Sequence, residues 1–208
     1  MTVHSVRYLN SIGLGYLNQP ITGNIDYKLT TYSKLIVVRH PFDRLMSAYS
    51  NKFVEEGYYS KAFAKHILKE FADRVTYDSH GIMRISLNQF LFLISKYYYR
   101  GFLDRHWQSY YDLCHPCDVH YDKIIKLETL DEDISAFTRH YTDDDTGTAA
   151  TFPALNMARN DDNKLAEVTR IFSKVDRGII KALLEIYHKD FELFGYTWSH
   201  TKGAGQVN

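Results

Sequence analysis

The amino-acid sequence predicts an α/β fold in which a parallel sheet is flanked by helices. Two short β-branched runs, at residues 34–38 and 121–127, have the composition of buried strands. Each run is followed by a segment whose apolar residues recur with helical spacing. Strands that alternate with helices are typical of this architecture. The 208 residues, 45% of them hydrophobic, suit one domain with a sizeable core.

The remaining elements are predicted from glycine and proline, which interrupt regular structure, and from the spacing of apolar residues. Residues 1–33 are weakly patterned, because glycine and proline interrupt any regular element. After the first strand, Pro41 suits the first position of a helix, where its missing N–H costs nothing, and this helix is predicted to reach residue 53. Further helices are predicted over residues 61–73, 87–99, 130–141 and 176–191. The other segments are a loop at 101–118, a linker at 142–163 and a flexible tail at 198–208, which leaves one domain over residues 1–197.

The charge balance excludes several kinds of partner. Lys and Arg number 25 and Asp and Glu number 25, so the formal net charge is zero. Without an overall basic field, nucleic acid and anionic membranes are not predicted partners, and any anion site must be local. No apolar run approaches the roughly 20 residues that a transmembrane helix needs. The first twenty residues also do not resemble a signal peptide.

The most informative segment follows the first strand. Arg39 leaves the C-terminal end of that strand, and a helix begins two residues later. The open end of a parallel sheet is where α/β proteins bind ligands, and a helix N-terminus favours an anion. The guanidinium of Arg39 fits a phosphate bidentately. Arg44 and Ser47 lie on the polar side of the same helix, opposite its apolar stripe. The segment therefore predicts a phosphate site.

The expected contributions to this site can be ranked. A charge-assisted hydrogen bond contributes about 1.5–3 kcal/mol, whereas the helix dipole supplies roughly 0.3–1 kcal/mol. Arg39 is therefore expected to dominate binding, with Ser47 second. The alternative is that Arg39 merely pairs with a carboxylate at the strand end.

This segment resembles the 3′-phosphate-binding motif of Golgi carbohydrate sulfotransferases of the chondroitin 4-O and HNK-1 type. The resemblance continues, in the same order, through residues 106–133, 152–156 and 186–196. It implies that nine consecutive residues hold the 3′-phosphate of phosphoadenylyl sulfate, and these are Arg39, His40, Pro41, Phe42, Asp43, Arg44, Leu45, Met46 and Ser47. His40 stands where many relatives carry an acidic residue, a change not expected to disable the site.

The resemblance also implies a fold and an activity. The fold would be similar to that of nucleotide kinases, and the activity would be transfer of a sulfuryl group to a glycan hydroxyl, without a bound metal. The acceptor would be of the chondroitin, dermatan or N-glycan type, on the lumenal side of the Golgi membrane. His106, beside Trp107, is the candidate general base, because histidine titrates near neutral pH. The alternative is a hydrogen-bonded structural histidine.

One part of the family pattern is missing from this sequence. The family has a Pro-Lys-rich loop after its first strand that cradles the 5′-phosphosulfate, and no such loop is found here. Gly13-Leu14-Gly15 is too short to replace it. The fold is therefore expected to be N-terminally incomplete, lacking its first strand, that loop and the family's membrane anchor. Either the sequence is a truncated form of an active enzyme, or it is a homologue that only binds nucleotide or glycan.

Other polar clusters have several interpretations. Cys114 and Cys117 form a Cys-x-x-Cys motif, which is compatible with a short disulfide or packed thiols, with zinc, or with a redox site. The Asp143–Asp145 run suits a solvated loop better than a cation site. Lys126 and Glu128 either touch substrate or close a strand end. The tyrosine pairs and triplets suit half-buried packing, with sugar stacking as the alternative.

Overall fold

A computed structural model describes residues 25–55, 57–141 and 162–198. The strands of these segments are β1 (Leu35–Val38), β2 (Thr76–Tyr77), β3 (Met83–Arg84) and β4 (Lys123–Lys126). The α-helices are α1 (Ile25–Thr31), α2 (Pro41–Tyr49), α3 (Tyr58–Ala62), α4 (Ala64–Phe71), α5 (Leu87–Tyr97), α6 (Tyr110–Cys114), α7 (Leu130–Tyr141), α8 (Asp162–Phe172), α9 (Arg177–Ile186) and α10 (His188–Leu193). A π-helix, Ser50–Glu55, continues α2.

The two predicted strands pair in parallel. Leu35 of β1 aligns with Lys123 of β4, and the register runs through to Val38 and Lys126. The helices α2 and α7 follow the two strands, so the α/β class and the parallel sheet are confirmed. A separate hairpin, β2–β3, pairs antiparallel. Because both parallel strands run the same way, their C-terminal ends meet at one edge of the sheet.

The prediction of fully buried strands is wrong for the described part of the chain. Ile36 and Val38 are buried, whereas Leu35 and Val37 are exposed in alternation with them. A parallel strand is buried on both sides only when other elements cover both faces. In the described segments, the Ile36 and Val38 side packs against the buried Phe194. The composition of β1 could not show which face would be covered.

Several helix boundaries differ from those that the apolar spacing predicts. The predicted helix 61–73 is two helices that meet at Phe63, and the predicted helix 176–191 is broken at Tyr187. Helices α1 and α8 were not predicted. The short helix α6 lies inside the predicted loop 101–118, and its N-cap is Ser109, whose hydroxyl accepts the backbone N–H of Asp112. A carboxylate from far along the chain also binds this N-terminus. The Asp190 carboxylate accepts the backbone N–H groups of Tyr110 and Tyr111, each at 2.8 Å.

Aromatic residues fill the main core. Phe42 stacks on Phe172 with ring centroids 4.6 Å apart, and Trp198 meets Phe42 edge-on at 4.7 Å. Trp198, the first residue of the predicted tail, is therefore packed on the core. The rest of that tail and most of the predicted linker, with Asp143–Asp145, lie outside the described residues. Trp107 is fully buried, and its indole N–H donates to the Phe102 carbonyl at 3.0 Å.

Candidate functional site

A cavity of about 430 Å³ lies beside the C-terminal end of β1. Three parts of the chain enclose it: the residue after β1, the polar side of α2 with the π-helix, and the loop before α6. Its lining residues are Arg39, Arg44, Ser47, Ala48, Ser50, Asn51, Lys52, Glu55 and His106. Three of these side chains are basic and one is a carboxylate, so the lining favours an anionic ligand.

The start of α2 is fixed by local chemistry. His40 caps the helix, since its Nδ1 accepts the backbone N–H of Phe42 at 3.2 Å, and Pro41 occupies the first turn. Phe42 and Leu45 are buried in the core. The spacing of these apolar residues leaves Ser47 on the opposite, exposed side, where it lines the cavity.

Arg39 forms an ion pair within its own segment. Its Nε donates to the Asp43 carboxylate, and both side chains are largely shielded, with 15% and 9% of their surface exposed. Arg39 therefore pairs with a carboxylate, which was the alternative to a phosphate site, and it also lines the cavity. A guanidinium carries five N–H donors in a fixed fork. Because Asp43 takes the Nε–H, the two terminal amino groups remain suited to a bidentate ligand.

Arg44 ties α2 to the loop before α6. One terminal nitrogen donates to the Arg105 carbonyl at 2.8 Å, and the other donates to the Gln108 carbonyl. Its guanidinium also lies 4.2 Å from the centroid of the Tyr110 ring. These contacts hold the loop against the helix and keep a positive charge at the cavity wall.

His106 reaches the same cavity from that loop. Its Nδ1 contacts the Asp104 carboxylate, and the Tyr59 hydroxyl lies 3.1 Å from the same nitrogen. The neighbouring Trp107 is buried among core aromatic rings and anchors the loop. The structure thus brings together four predicted site residues from two distant segments, and these are Arg39, Arg44, Ser47 and His106.

The other six predicted site residues do not line the cavity. The His40 side chain is buried among aromatic rings, and Asp43 holds Arg39. Pro41, Phe42 and Leu45 are buried, and Met46 packs against the core. Burial lowers the pKa of His40 below its ordinary value, although the Thr197 carbonyl and nearby carboxylates oppose this shift. The structural role of these six residues is to set the position of α2.

The π-helix contributes lining residues beyond the predicted site. Asn51, Lys52 and Glu55 follow α2 without a break, and the Asn51 amide donates to the Glu55 carboxylate at 3.1 Å. Helical spacing places Asn51 on the same polar side as Arg44 and Ser47. A π-turn changes the direction of successive side chains relative to an α-helix, and the spacing did not predict Lys52 and Glu55 at the cavity.

The end of β4 is closed by carboxylates. Glu128 accepts the backbone N–H of His40 at 2.6 Å and the Tyr196 hydroxyl at 2.9 Å. Asp133 accepts the backbone N–H of Lys126 at 2.9 Å, and the Lys126 ammonium lies 4.8 Å from the Tyr196 ring centroid. Of the two alternatives for Lys126 and Glu128, these contacts favour closure of the strand end.

The cysteines are free thiols. Cys114 lies at the C-terminal end of α6, where the helix dipole disfavours a thiolate, and burial raises the pKa of its thiol. The redox interpretation, which needs a cysteine at a helix N-terminus, is therefore wrong. Within residues 25–55, 57–141 and 162–198, no three His, Cys, Asp or Glu side chains form a group that could hold a metal ion.

Comparison with known proteins defines the class of this chain. The sequence profile of the sulfotransferase family matches residues 2–197, so the chain belongs to that family. Carbohydrate sulfotransferase 11 of Rattus norvegicus is 31% identical over 197 residues, which cover 90% of this chain and 53% of the relative. Carbohydrate sulfotransferase 12 of Xenopus laevis is 34% identical over 179 residues, covering 81% and 41%. Carbohydrate sulfotransferase 10 of Xenopus laevis is 31% identical over 196 residues, covering 88% and 53%.

The matches cover only part of each relative. The chain spans about half the length of these curated relatives. No solved structure gives a significant match to it. Among the helices of the described segments, none combines the length and the apolar composition that crossing a bilayer requires.

Proposed function

We propose that this chain binds phosphoadenylyl sulfate in the cavity beside β1 and transfers its sulfuryl group to a glycan hydroxyl. The observation that carries the proposal is the convergence of Arg39, Arg44, Ser47 and His106 on one cavity, in a chain of the sulfotransferase family. The first three side chains supply anion-binding groups. The fourth supplies an imidazole ring, which has a nitrogen that can accept a proton.

The 3′-phosphate of the donor is assigned to Arg39 and Ser47. Asp43 takes the Nε–H of Arg39 and leaves the terminal amino groups for two phosphate oxygens. The Ser47 hydroxyl donates a further hydrogen bond. Arg44 is committed to two carbonyl oxygens and a tyrosine ring, so it contributes charge and holds the wall in place. This arrangement suits a dianionic group better than a neutral one.

The transfer step is an in-line displacement at sulfur, formally like phosphoryl transfer. The acceptor hydroxyl oxygen forms a bond to sulfur, and the bond from sulfur to the bridging oxygen of the phosphosulfate breaks. The electron pair leaves with adenosine 3′,5′-bisphosphate. The hydroxyl proton passes to His106 as general base. The acceptor is a glycan of the chondroitin, dermatan or N-glycan type, in the Golgi lumen, as the family resemblance implies.

A transfer assay with the full chain tests this proposal. Radiolabelled phosphoadenylyl sulfate is offered with chondroitin, dermatan and N-glycan acceptors, and labelled glycan is the expected product. Binding of adenosine 3′,5′-bisphosphate is measured in parallel by calorimetry. Binding without any turnover would favour the alternative, a homologue that only binds nucleotide. A chain that binds no nucleotide at all would contradict both.

Lys126→Ala is the matched control for Arg39→Ala in both assays. Each variant removes one cation at the C-terminal end of a parallel strand, but Lys126 lies over the Tyr196 ring and does not line the cavity. The proposal requires that Arg39→Ala abolishes or strongly reduces binding while Lys126→Ala leaves it unchanged. Equal losses in the two variants would show that overall charge, rather than this site, attracts the nucleotide.

A further inference from the structure

We infer that Asp104 is a positioning residue that fixes the tautomer of His106, leaving Nε2 of that ring to take the proton of the acceptor hydroxyl. The inference rests on the proposed function and deepens it. Nothing in the sequence pattern singles out Asp104, which stands two residues before His106 in a segment predicted to be a loop.

The contacts of the Asp104 carboxylate define its role. One oxygen, Oδ1, accepts the backbone N–H of His106 at 2.9 Å and also contacts the ring Nδ1 of the same residue. An ionised carboxylate can only accept hydrogen bonds. The Nδ1 atom must therefore carry the proton, and in the neutral ring Nε2 then holds the lone pair.

Tyr59 holds the ring from a second side. Its hydroxyl lies 3.1 Å from Nδ1, and its ring meets the imidazole edge-on at 87° with centroids 5.6 Å apart. The hydrogen bonds of the His106 ring within the described residues all run through Nδ1. Because His106 lines the cavity, Nε2 is the ring nitrogen left for a ligand. A base oriented by a carboxylate in this way is a recurrent arrangement for proton transfer from a hydroxyl.

The charges around the ring are consistent with this role. The other side chains of the cavity wall that carry charge are Arg39 and Arg44 beside α2 and Lys52 and Glu55 on the π-helix. Lys52 lies over the Tyr59 ring, with its ammonium 5.5 Å from the ring centroid. A proton that arrives on Nε2 gives an imidazolium beside Asp104, and that carboxylate compensates the new charge. The proton then leaves to solvent after the sulfated glycan departs.

The decisive measurement is the tautomer of His106 in the full chain. Two-bond proton–nitrogen correlation spectra of ¹⁵N-labelled protein at mildly alkaline pH distinguish a protonated Nδ1 from a protonated Nε2, and His106→Ala assigns the signals. The expected result is a protonated Nδ1 in the wild type and a shift toward protonated Nε2 in Asp104→Asn, because an amide can donate to Nδ1. Asp104→Glu should restore the wild-type pattern at least in part.

The kinetic counterpart separates positioning from structure. General-base catalysis contributes about 10²–10⁴-fold, so Asp104→Asn should lower kcat by at least about tenfold while KM stays unchanged. The affinity for adenosine 3′,5′-bisphosphate and the melting temperature should also stay unchanged. Asp118→Asn is the matched control, since Asp118 also lies beside a histidine, 3.8 Å from Nδ1 of His115, but outside the cavity lining.

Three results would overturn the inference. The first is a protonated Nε2 in the wild type. The second is a normal kcat in Asp104→Asn, or a loss of kcat matched by equal losses of nucleotide affinity and stability. The third is the same loss of kcat in Asp118→Asn. If the wild type transferred no sulfate, the proposed function would fail. The tautomer spectra would still decide whether Asp104 fixes the tautomer of the His106 ring.

Discussion

The two parallel strands end side by side at one edge of the sheet, and their ends differ in charge. After β1, Arg39 keeps its terminal amino groups beside a cavity, and the first turn of α2 holds one acid, Asp43. After β4, Glu128 accepts a hydrogen bond from the backbone of His40. The first turn of α7 carries three acids in a row, Asp131–Asp133. The second strand end is therefore more acidic than the first.

The acids distinguish the two strand ends as candidate anion sites. Lys126 is the last residue of β4 and aligns in the sheet register with Val38, the residue before Arg39. Carboxylates in the first turn of the following helix offset the positive end of its dipole, so the end of β1 suits an anion better than the end of β4. Substitutions at four positions, with their controls, test this contrast.

The largest effect is expected on stability, from Phe42→Ala. Phe42 is fully buried and stacks on Phe172, so the cavity left behind should cost about 3–5 kcal/mol of unfolding free energy in urea titrations. Ile134, on the helix after β4, is 9% exposed, and Ile134→Ala should cost less. An equal cost at both positions would mean that α2 is no better anchored than α7.

The next effect is on nucleotide binding, from Arg39→Ala. Loss of one charge-assisted interaction of about 1.5–3 kcal/mol should raise the Kd for adenosine 3′,5′-bisphosphate roughly 10- to 150-fold. Arg39→Lys should recover part of this loss, since it keeps the charge without the planar fork. Calorimetry measures both variants. Full recovery by lysine would show that charge alone is recognised.

A smaller loss is expected from Ser47→Ala. The hydroxyl contributes a single hydrogen bond of about 0.5–1.5 kcal/mol, so the same titration should show a change of at most about tenfold. Ser95→Ala is the control, because Ser95 donates to the Phe92 carbonyl on α5, away from the cavity lining. A greater loss in Ser47→Ala than in Arg39→Ala would reverse the proposed ranking of the two contacts.

The smallest effect is a pH dependence of stability at His40. Burial lowers the folded-state pKa of His40 below its ordinary 6.5, so below that pH the unfolded chain binds more protons than the folded chain. Stability should therefore fall as the pH drops from 6.5 toward the folded-state pKa. In His40→Asn, which keeps a capping acceptor, the unfolding free energy should depend less steeply on pH in this window. Identical pH profiles would place the dependence on another group.

The strand, the turn and the helix at residues 34–49 could be predicted because their determinants are local. β-branched residues, one proline and an apolar spacing suffice to place Arg39, Arg44 and Ser47 on one side. Other features were out of reach. Asp190, which accepts backbone N–H groups at the start of α6, lies about 80 residues along the chain from Tyr110, and the boundary at Trp198 depends on its packing against Phe42.

The class of protein and its candidate site divide in the same way, into what the sequence determined and what packing decided. The residue types and their order were enough for the class of protein and for the candidate anion-binding segment, since helical spacing and end effects act between near neighbours. Packing alone decided that His106 shares the cavity of Arg39, that Tyr59 holds its ring, and that Glu128 closes the other strand end. These contacts join residues far apart in the chain, and only the folded core brings them within hydrogen-bonding distance.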